Sequence, residues 1–402
     1  MIGARLKQAG FLAGMTMTQL ADELREYDFP ITKQAISKYE TGKSYPSARF
    51  LLLASSVLGV PSTYFTHEPK KTVEWLAFRC RKKLSKTERS RIKAYASDIV
   101  ELQIELRELL YPDPISELPS IAVANLAEAE NAAEQLRAHW DVGNRPLDNL
   151  VQTAEDRDFV VVSWEDNTGL FDGLSAKCEG RSIAVINTNV PADQLRMSLA
   201  HELGHLVMDI EEMPSKEAEK LAYRFAAALL APADHVYQEL GKSRGHLDWG
   251  ELEALKRKYG MSMAAWVRRA RDLEIINDST YTSMNRFIKV HGWHKNEPGE
   301  YLGDEEPLQL KQMAQRAVAE GLMSPDRISR VGVEILDSNM DIAESTHLTV
   351  RDLLAMPEKE RQAIMAEAFA LAAEEEFEIF EANEIIDDYD EDFDAEAIRE
   401  TT

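Results

Sequence analysis

Apolar residues recur every three or four positions through much of the chain, which predicts a mostly helical protein. The first segments with this spacing are short, and their inward-facing positions are Leu20, Ala21, Leu24, Ala35, Ile36 and Tyr39. Thr18 and Thr32 are suitable N-caps for two of these helices, and Gly42 can end the second. The pattern predicts an all-α domain over residues 1–66.

Longer amphipathic segments follow this head. A basic run at 79–86 precedes a helical pattern at 87–110, and a second pattern covers about 123–141. The prolines within 111–114 interrupt the pattern and indicate a linker. Residues 67–150 are therefore predicted to form a basic helical connector.

The periodicity changes in the next part of the chain. Residues 159–164 and 182–187 are rich in β-branched side chains and are predicted strands, with a bend and a short strand at about 172–176. A helix that begins at about 190–193 and includes residues 198–209 follows them. Strands followed by a helix indicate a small α+β domain over 151–300.

The last quarter of the chain is predicted to be helical and acidic. Helical patterns occupy 308–322, 349–356 and 357–377, and from Glu374 onward there are 14 Asp and Glu against one Arg. Such a tail is typical of a disordered solubilising segment, whereas its interleaved aromatic residues favour a binding segment. Residues 301–402 are therefore predicted to form a helical region that ends in an acidic tail, and both interpretations of the tail stay open.

Composition narrows the class of protein. The 402 residues are 44% hydrophobic, yet no stretch approaches the ~20 apolar residues of a membrane span. Cys80 and Cys178 are far apart, which argues against a disulfide framework and favours the reducing cytoplasm. The net charge of −24 is uneven, because residues 1–110 carry 18 Lys and Arg against 12 Asp and Glu. A basic head on an acidic body can bind nucleic acid locally although the average field opposes it.

The strongest chemical motif is the sequence His-Glu-x-x-His at 201–205. Two histidines four residues apart lie on one face of a helix, so His201 and His205 can bind a single Zn²⁺. Glu202 can then act as general base towards water at the open metal position. A third protein ligand must come from further along the chain, and the candidates are Asp209, Glu211, Glu212, Glu217 and Glu219.

The head carries its own motif. It resembles the Xre/Cro-type helix-turn-helix family in Gln19-Leu20-Ala21, in the run from Gln34 to Gly42, and in Tyr45-Pro46-Ser47. The resemblance implies that the helix after Thr32 is a recognition helix that enters the DNA major groove.

The same resemblance assigns roles on the outward face of the head. Lys33, Gln34 and Lys38 are expected to read bases, with Ser37 beside them, and Gln19 and Lys43 are expected to contact phosphates. A helical module for protein contacts is the alternative for this domain. Helix-turn-helix heads also raise the expectation of a homodimer.

The metal motif and the residues after it resemble the ImmA/IrrE family of metallopeptidases. The resemblance rests on the residues around His201 and His205 and on Glu219-x-x-Ala222-x-x-Phe225-Ala226. It implies that Glu219 is the third ligand, although many members carry a second acidic residue where this chain has Leu221, so Glu217 remains an alternative. The resemblance implies a zincin-like fold for the α+β domain. It also matches a longer form of the family in which this domain is fused to an Xre-type head.

The family implies a cytoplasmic zinc endopeptidase that cleaves an Xre-type repressor and relieves repression, and the chain itself is another candidate substrate. The expected partners are double-stranded DNA and a protein substrate, with no membrane. The alternative is a transcriptional regulator or antitoxin-like binding protein whose metal site is not hydrolytic. An intact Glu202 favours the peptidase, because a purely structural zinc site has no use for a general base.

Overall fold

The computed structural model describes residues 2–66, 71–80, 84–111, 118–210 and 212–329. Helices surround one small mixed sheet, so the fold is the mostly helical α+β arrangement predicted from the sequence. None of the helices in these ranges is long and apolar enough to cross a bilayer. The helices predicted at 349–356 and 357–377, and the acidic tail, lie outside the described residues.

The head consists of four short helices and a 3₁₀ turn around a small apolar core. Their bounds are α1 Ile2–Leu12, α2 Met17–Glu26, α3 Lys33–Glu40, α4 Ala48–Leu58 and the turn Ser62–Thr66. Thr32 caps α3 as predicted. The cap of α2 is Thr16 instead of Thr18, because Gln19 closes a capping box with Thr16 that leaves Thr18 inside the first turn.

The next segment contributes a strand that the sequence patterns did not predict. Its elements are β1 Glu74–Cys80, α5 Lys86–Leu110, β2 Ile121–Ala122, α6 Leu126–His139 and α7 Leu150–Glu155. Ser85 caps α5 by accepting a hydrogen bond from the Glu88 N–H. The strand β1 adds to the central sheet, so this segment does more than connect two domains.

The remaining elements contain the metal motif and the helices packed around it. They are β3 Val160–Trp164, β4 Phe171–Cys178, β5 Arg181–Asn187, α8 Ala192–Val207, β6 Met208–Asp209, α9 Ser215–Leu230, α10 Ala233–Leu240, α11 Trp249–Tyr259, α12 Met263–Asp272, α13 Asp278–Val290, α14 Gln309–Ala319 and α15 Pro325–Ser329. The predicted strands thus appear as β3 and β5, and the helix predicted at 308–322 appears as α14.

The main sheet has the strand order β1-β4-β5-β3. Strand β4 is antiparallel to both β1 and β5, whereas β3 and β5 are parallel. The expected bend and short strand at 172–176 is instead the eight-residue β4, because strands on both sides pair with its backbone. The short strands β2 and β6 form a separate parallel pair.

Alternate residues of the sheet face two different helical layers. Val160, Val162 and Leu174 pack with α5 on one face. Val161, Ala184 and Ile186 pack on the other face with α8 and the helices beyond it. The sheet is therefore covered by α5 on one side and by α8, the helix that carries His201 and His205, on the other.

The head is attached to the body through a buried polar contact between α1 and α5. Arg5 donates to Asp98 at 2.7 Å and to Glu101 at 2.6 Å, and Arg5 is 1% exposed. Gln8 and the Tyr64 hydroxyl also donate to Asp98, at 2.7 Å and 2.8 Å. Because α5 also packs on the sheet, this one helix contacts both the head and the sheet.

Candidate functional site

The His-Glu-x-x-His motif lies in the buried part of α8. Apolar Leu199 and Leu203 on this helix are fully buried in the largest core. His201 and Glu202 are 0% exposed and His205 is 9% exposed. The motif is therefore inside the molecule, where water is scarce and charge interactions are strengthened.

The structure brings three metal-ligating side chains together. His201 Nε2 lies 3.1 Å from His205 Nε2 and 3.2 Å from Glu219 Oε2, and His205 Nε2 lies 3.2 Å from Glu219 Oε1. Among the residues that the structure describes, these three form the group that could hold a metal ion.

Of the carboxylates that the sequence left open, Glu219 on α9 reaches the histidines. Glu217 lies on the exposed surface of the same helix, two residues earlier. The close packing of α8 on α9 depends on Gly204, where a Cβ would lie 3.1 Å from Phe225 Cδ1 and 3.3 Å from the Ala222 Cα.

The donor atoms fit a tetrahedral divalent metal. Metal–ligand distances of about 2.0–2.2 Å with tetrahedral angles place neighbouring ligand atoms about 3.3 Å apart. The observed separations are close to that spacing, at 3.1 Å between the two imidazole nitrogens and 3.2 Å from each nitrogen to one of the two Glu219 oxygens. Two imidazoles and one carboxylate are also a ligand set found in catalytic zinc sites.

Interactions with the two histidines keep Glu219, the third candidate ligand, in its ionised form. Burial by itself raises the pKa of Glu219, but hydrogen bonds and charge interactions with His201 and His205 lower it overall. A carboxylate whose pKa lies below its usual range is ionised at neutral pH and can accept a metal ion.

Glu202 lies beside the strand that covers the site. A Cβ built on Gly173 of β4 would lie 2.3 Å from Glu202 Oε1 and 2.9 Å from its Cδ. Any residue other than glycine would therefore displace the carboxylate. Gly173 gives Glu202 its space, so the carboxylate lies directly against β4 at this position.

The structure adds one aromatic residue that sequence reasoning did not single out. The Tyr223 ring lies against the His201 ring, with centroids 4.3 Å apart. Tyr223 follows Glu219 by four residues on α9, so the helical period could have placed it on the same face. Arg196, five residues before His201 on α8, donates hydrogen bonds to the Leu147 carbonyl at 2.8 Å and to Glu305.

The predicted DNA-reading residues lie on the surface of the head. Lys33, Gln34 and Lys38 are exposed on α3, and Ser37 beside them is half-buried. Lys43 is exposed after the helix. Gln19 is also exposed, and its amide oxygen accepts hydrogen bonds from Thr16 in the α2 capping box. Contact of these residues with DNA stays a prediction.

Fold and site together define a helix-turn-helix head joined to a metallopeptidase-type domain. Residues 154–271 match the model of the IrrE N-terminal-like domain of peptidases, and residues 12–65 match a helix-turn-helix model. These two matches confirm the fusion that the sequence resemblance indicated. A search of curated proteins gave no match. The head match supports DNA binding, and the peptidase match supports a protein substrate.

Proposed function

We propose that this protein is a DNA-binding zinc metalloendopeptidase that regulates transcription by cleaving a repressor-type protein. The observation that carries the proposal is a buried glutamate, Glu202, beside the converging side chains of His201, His205 and Glu219. The exposed basic face of α3 supports action at an operator. We also propose that the protein acts in the cytoplasm.

In this mechanism the three converging side chains hold zinc, which supplies Lewis acidity to the reacting groups. As the oxygen of the attacking water bonds to the scissile carbonyl carbon, Glu202 accepts a proton from that water. Glu202 then delivers that proton to the amide nitrogen while the C–N bond breaks, which releases a carboxylic acid and an amine. The low exposure of Glu202 keeps bulk water from competing for this proton.

The substrate we propose is an Xre-type repressor bound beside the head, and the chain itself is the second candidate. Helix-turn-helix heads commonly act in pairs on two half-sites, so we also propose a homodimer on DNA. An inactive protein should retain the substrate that it cannot cut.

The experiment is the Glu202→Gln variant of the full chain. Removing the base leaves the three metal ligands in place, so we expect zinc content unchanged, proteolysis lost and the substrate copurified. Metal analysis and mass spectrometry of the bound proteins provide the measurements. If this variant regulates its promoter as well as the parent, hydrolysis is not the function, and a regulator with a non-hydrolytic metal site takes its place. A fragment made by the parent but not by the variant would identify the chain as its own substrate.

A further inference from the structure

Strand β1 lies along the edge of β4, next to the proposed active site. Its backbone is paired antiparallel with β4, with Phe78 opposite Leu174 and Arg79 opposite Gly173. Gly173 is the residue whose missing side chain makes room for Glu202. The end of β1 is therefore paired with a residue of β4 that lies against the proposed general base.

The edge of β4 is the place where an extended peptide would bind. A peptide that adds a strand to a sheet forms backbone hydrogen bonds with an open edge strand. In the strand order β1-β4-β5-β3, β5 pairs with strands on both sides and β3 is the edge farthest from β1. The side of β4 that faces β1 is therefore the edge beside Glu202 with which such a peptide could pair. In this structure β1 is paired with the backbone of β4 at that edge.

This strand lies outside the segment that matches the peptidase family model. The family match begins at residue 154, whereas β1 ends at Cys80, between the head and α5. Within the matched segment, β4 would be an edge strand with an unpaired side. The chain thus supplies the covering strand from the side of the DNA-binding head.

Contacts with α5 hold β1 in place. Lys93 of α5 lies over the Trp75 ring, 5.4 Å from its centroid. Just before the strand, Lys71 pairs with Glu108 of α5 and with Glu179 after β4, each at 2.6 Å. The helix that holds β1 is the same helix that binds α1 of the head.

We propose that β1 is a built-in competitor for the peptide-binding edge of β4, and that a peptide substrate pairs with β4 only after β1 leaves it. The inference rests on the proposed peptidase function for the identity of the ligand, an extended peptide. The competition between β1 and the peptide concerns binding, so it can be tested in a protein that binds peptides without cleaving them. Binding a peptide then exchanges one set of backbone hydrogen bonds for another, and the free energy needed to detach β1 weakens peptide affinity.

The first test loosens β1 in the full-length Glu202→Gln protein. Successive residues of an antiparallel strand direct their N–H groups to opposite sides, so the pair of substitutions Ala77→Pro and Phe78→Pro removes at least one bond to β4. We expect faster hydrogen exchange over residues 171–177 and at least tenfold more retention of peptides from a degenerate ten-residue library. The Ala77→Gly variant, which keeps its backbone N–H, is the control and should retain less peptide than the double-proline variant.

The second test fixes β1 in place and does not depend on tolerance of proline. Ala77→Cys with Ser175→Cys puts two thiols on directly opposed residues, whose Cα atoms in antiparallel pairs are about 4.5–5.5 Å apart, within the range of a disulfide. After the cross-link is verified by peptide mapping, we expect peptide retention and cleavage to be lost and to return on reduction.

The outcomes separate this inference from the proposed function. If the cross-linked protein binds and cleaves the library as well as the reduced protein, β1 is a fixed part of the sheet and the inference is wrong. Faster exchange in β4 without a gain in peptide retention contradicts it equally. If retention follows the state of β1 but no zinc-loaded protein cleaves, the inference stands and the peptidase function fails.

Discussion

Single side chains determine which carboxylate completes the metal group. On α9, Glu219 and Glu217 are two residues apart, which turns them about 200° from each other around the helix. Only one of them can face α8, and Glu219 Oε1 lies 3.2 Å from His205 Nε2 while Glu217 is exposed. The choice between them depends on the rotation of α9 against α8.

This difference predicts unequal effects of two matched substitutions. Glu219→Gln removes a charged donor and should weaken zinc binding by at least about 100-fold, whereas Glu217→Gln should leave it unchanged. Competition with a chromogenic chelator measures the affinity of each full-length variant. Equal affinities for the two variants would show that Glu219 is not a ligand.

Gly173 provides a second prediction at this scale. Gly173→Ala would put a Cβ 2.3 Å from Glu202 Oε1, so the carboxylate has to move. A general base displaced by about 1 Å can cost about 100-fold in kcat, while zinc affinity should persist. Steady-state cleavage and zinc titration test this together. Ser175→Ala on the same strand is the control, and an undiminished kcat for Gly173→Ala would mean that Glu202 needs no such space.

Among the elements, the contact of α1 with α5 determines how the head is attached. Arg5→Ala would leave Asp98 and Glu101 without their main cation in a buried interface, where Asp98 is 5% exposed. Removing one partner of a buried ion pair costs about 3–5 kcal/mol. Urea unfolding of the full chain measures this loss. Arg25→Ala, which removes an exposed pair with Asp22, is the control and should cost less than about 1 kcal/mol.

The same contact predicts a pH dependence of stability. Burial raises the pKa of Asp98 to about 6 from its ordinary 3.8, although hydrogen bonding by Tyr64 and the charge of Arg5 oppose the rise. The folded protein therefore binds this proton more tightly than the unfolded chain, so the contribution of Asp98 to stability grows as pH falls through 6 and is complete below about 4.

Comparison with Asp98→Asn isolates that contribution. Between pH 7 and pH 4 the wild type should gain up to about 3 kcal/mol of unfolding free energy relative to the variant. Chemical denaturation at both pH values provides the two differences. A constant difference between wild type and variant would show that Asp98 titrates alike in folded and unfolded chains.

For the whole molecule, the uneven charge predicts how DNA binding responds to salt. The net charge of −24 repels DNA, so we expect binding to depend on the local basic face of α3. Replacing Lys33 and Lys38 with Gln should reduce affinity and flatten the slope of log K against log salt by up to about two units. Lys242→Gln, an exposed lysine on the body, is the control and should leave the slope unchanged. Fluorescence anisotropy with operator-containing duplexes at several salt concentrations measures the slope, and equal slopes would exclude α3 as the DNA surface.

Helix α5 also connects separate parts of the whole molecule. It contacts the head through Asp98, the sheet through its apolar face and β1 through Lys93. One continuous helix of 25 residues carries this connection.

The sequence by itself determined the features that depend on short-range spacing. Two histidines four residues apart must share a helical face, the β-branched runs at 159–164 and 182–187 must favour strands, and Thr32 can cap α3 from its own position. These features need no information about distant residues. The same applies to the resemblance of the head and of the peptidase segment to their families.

Only the tertiary structure decided what depends on residues far apart in the chain. The nearness of Glu219 to His201, the space that Gly173 gives to Glu202, and the pairing of β1 with β4 all join segments whose relative placement no local pattern contains. The residues of β1 were predicted within a helical connector, since a strand is stabilised by its partner more than by its own propensity. Helix rotation and strand pairing are set by packing across the whole core, and this is why they became visible only in the folded chain.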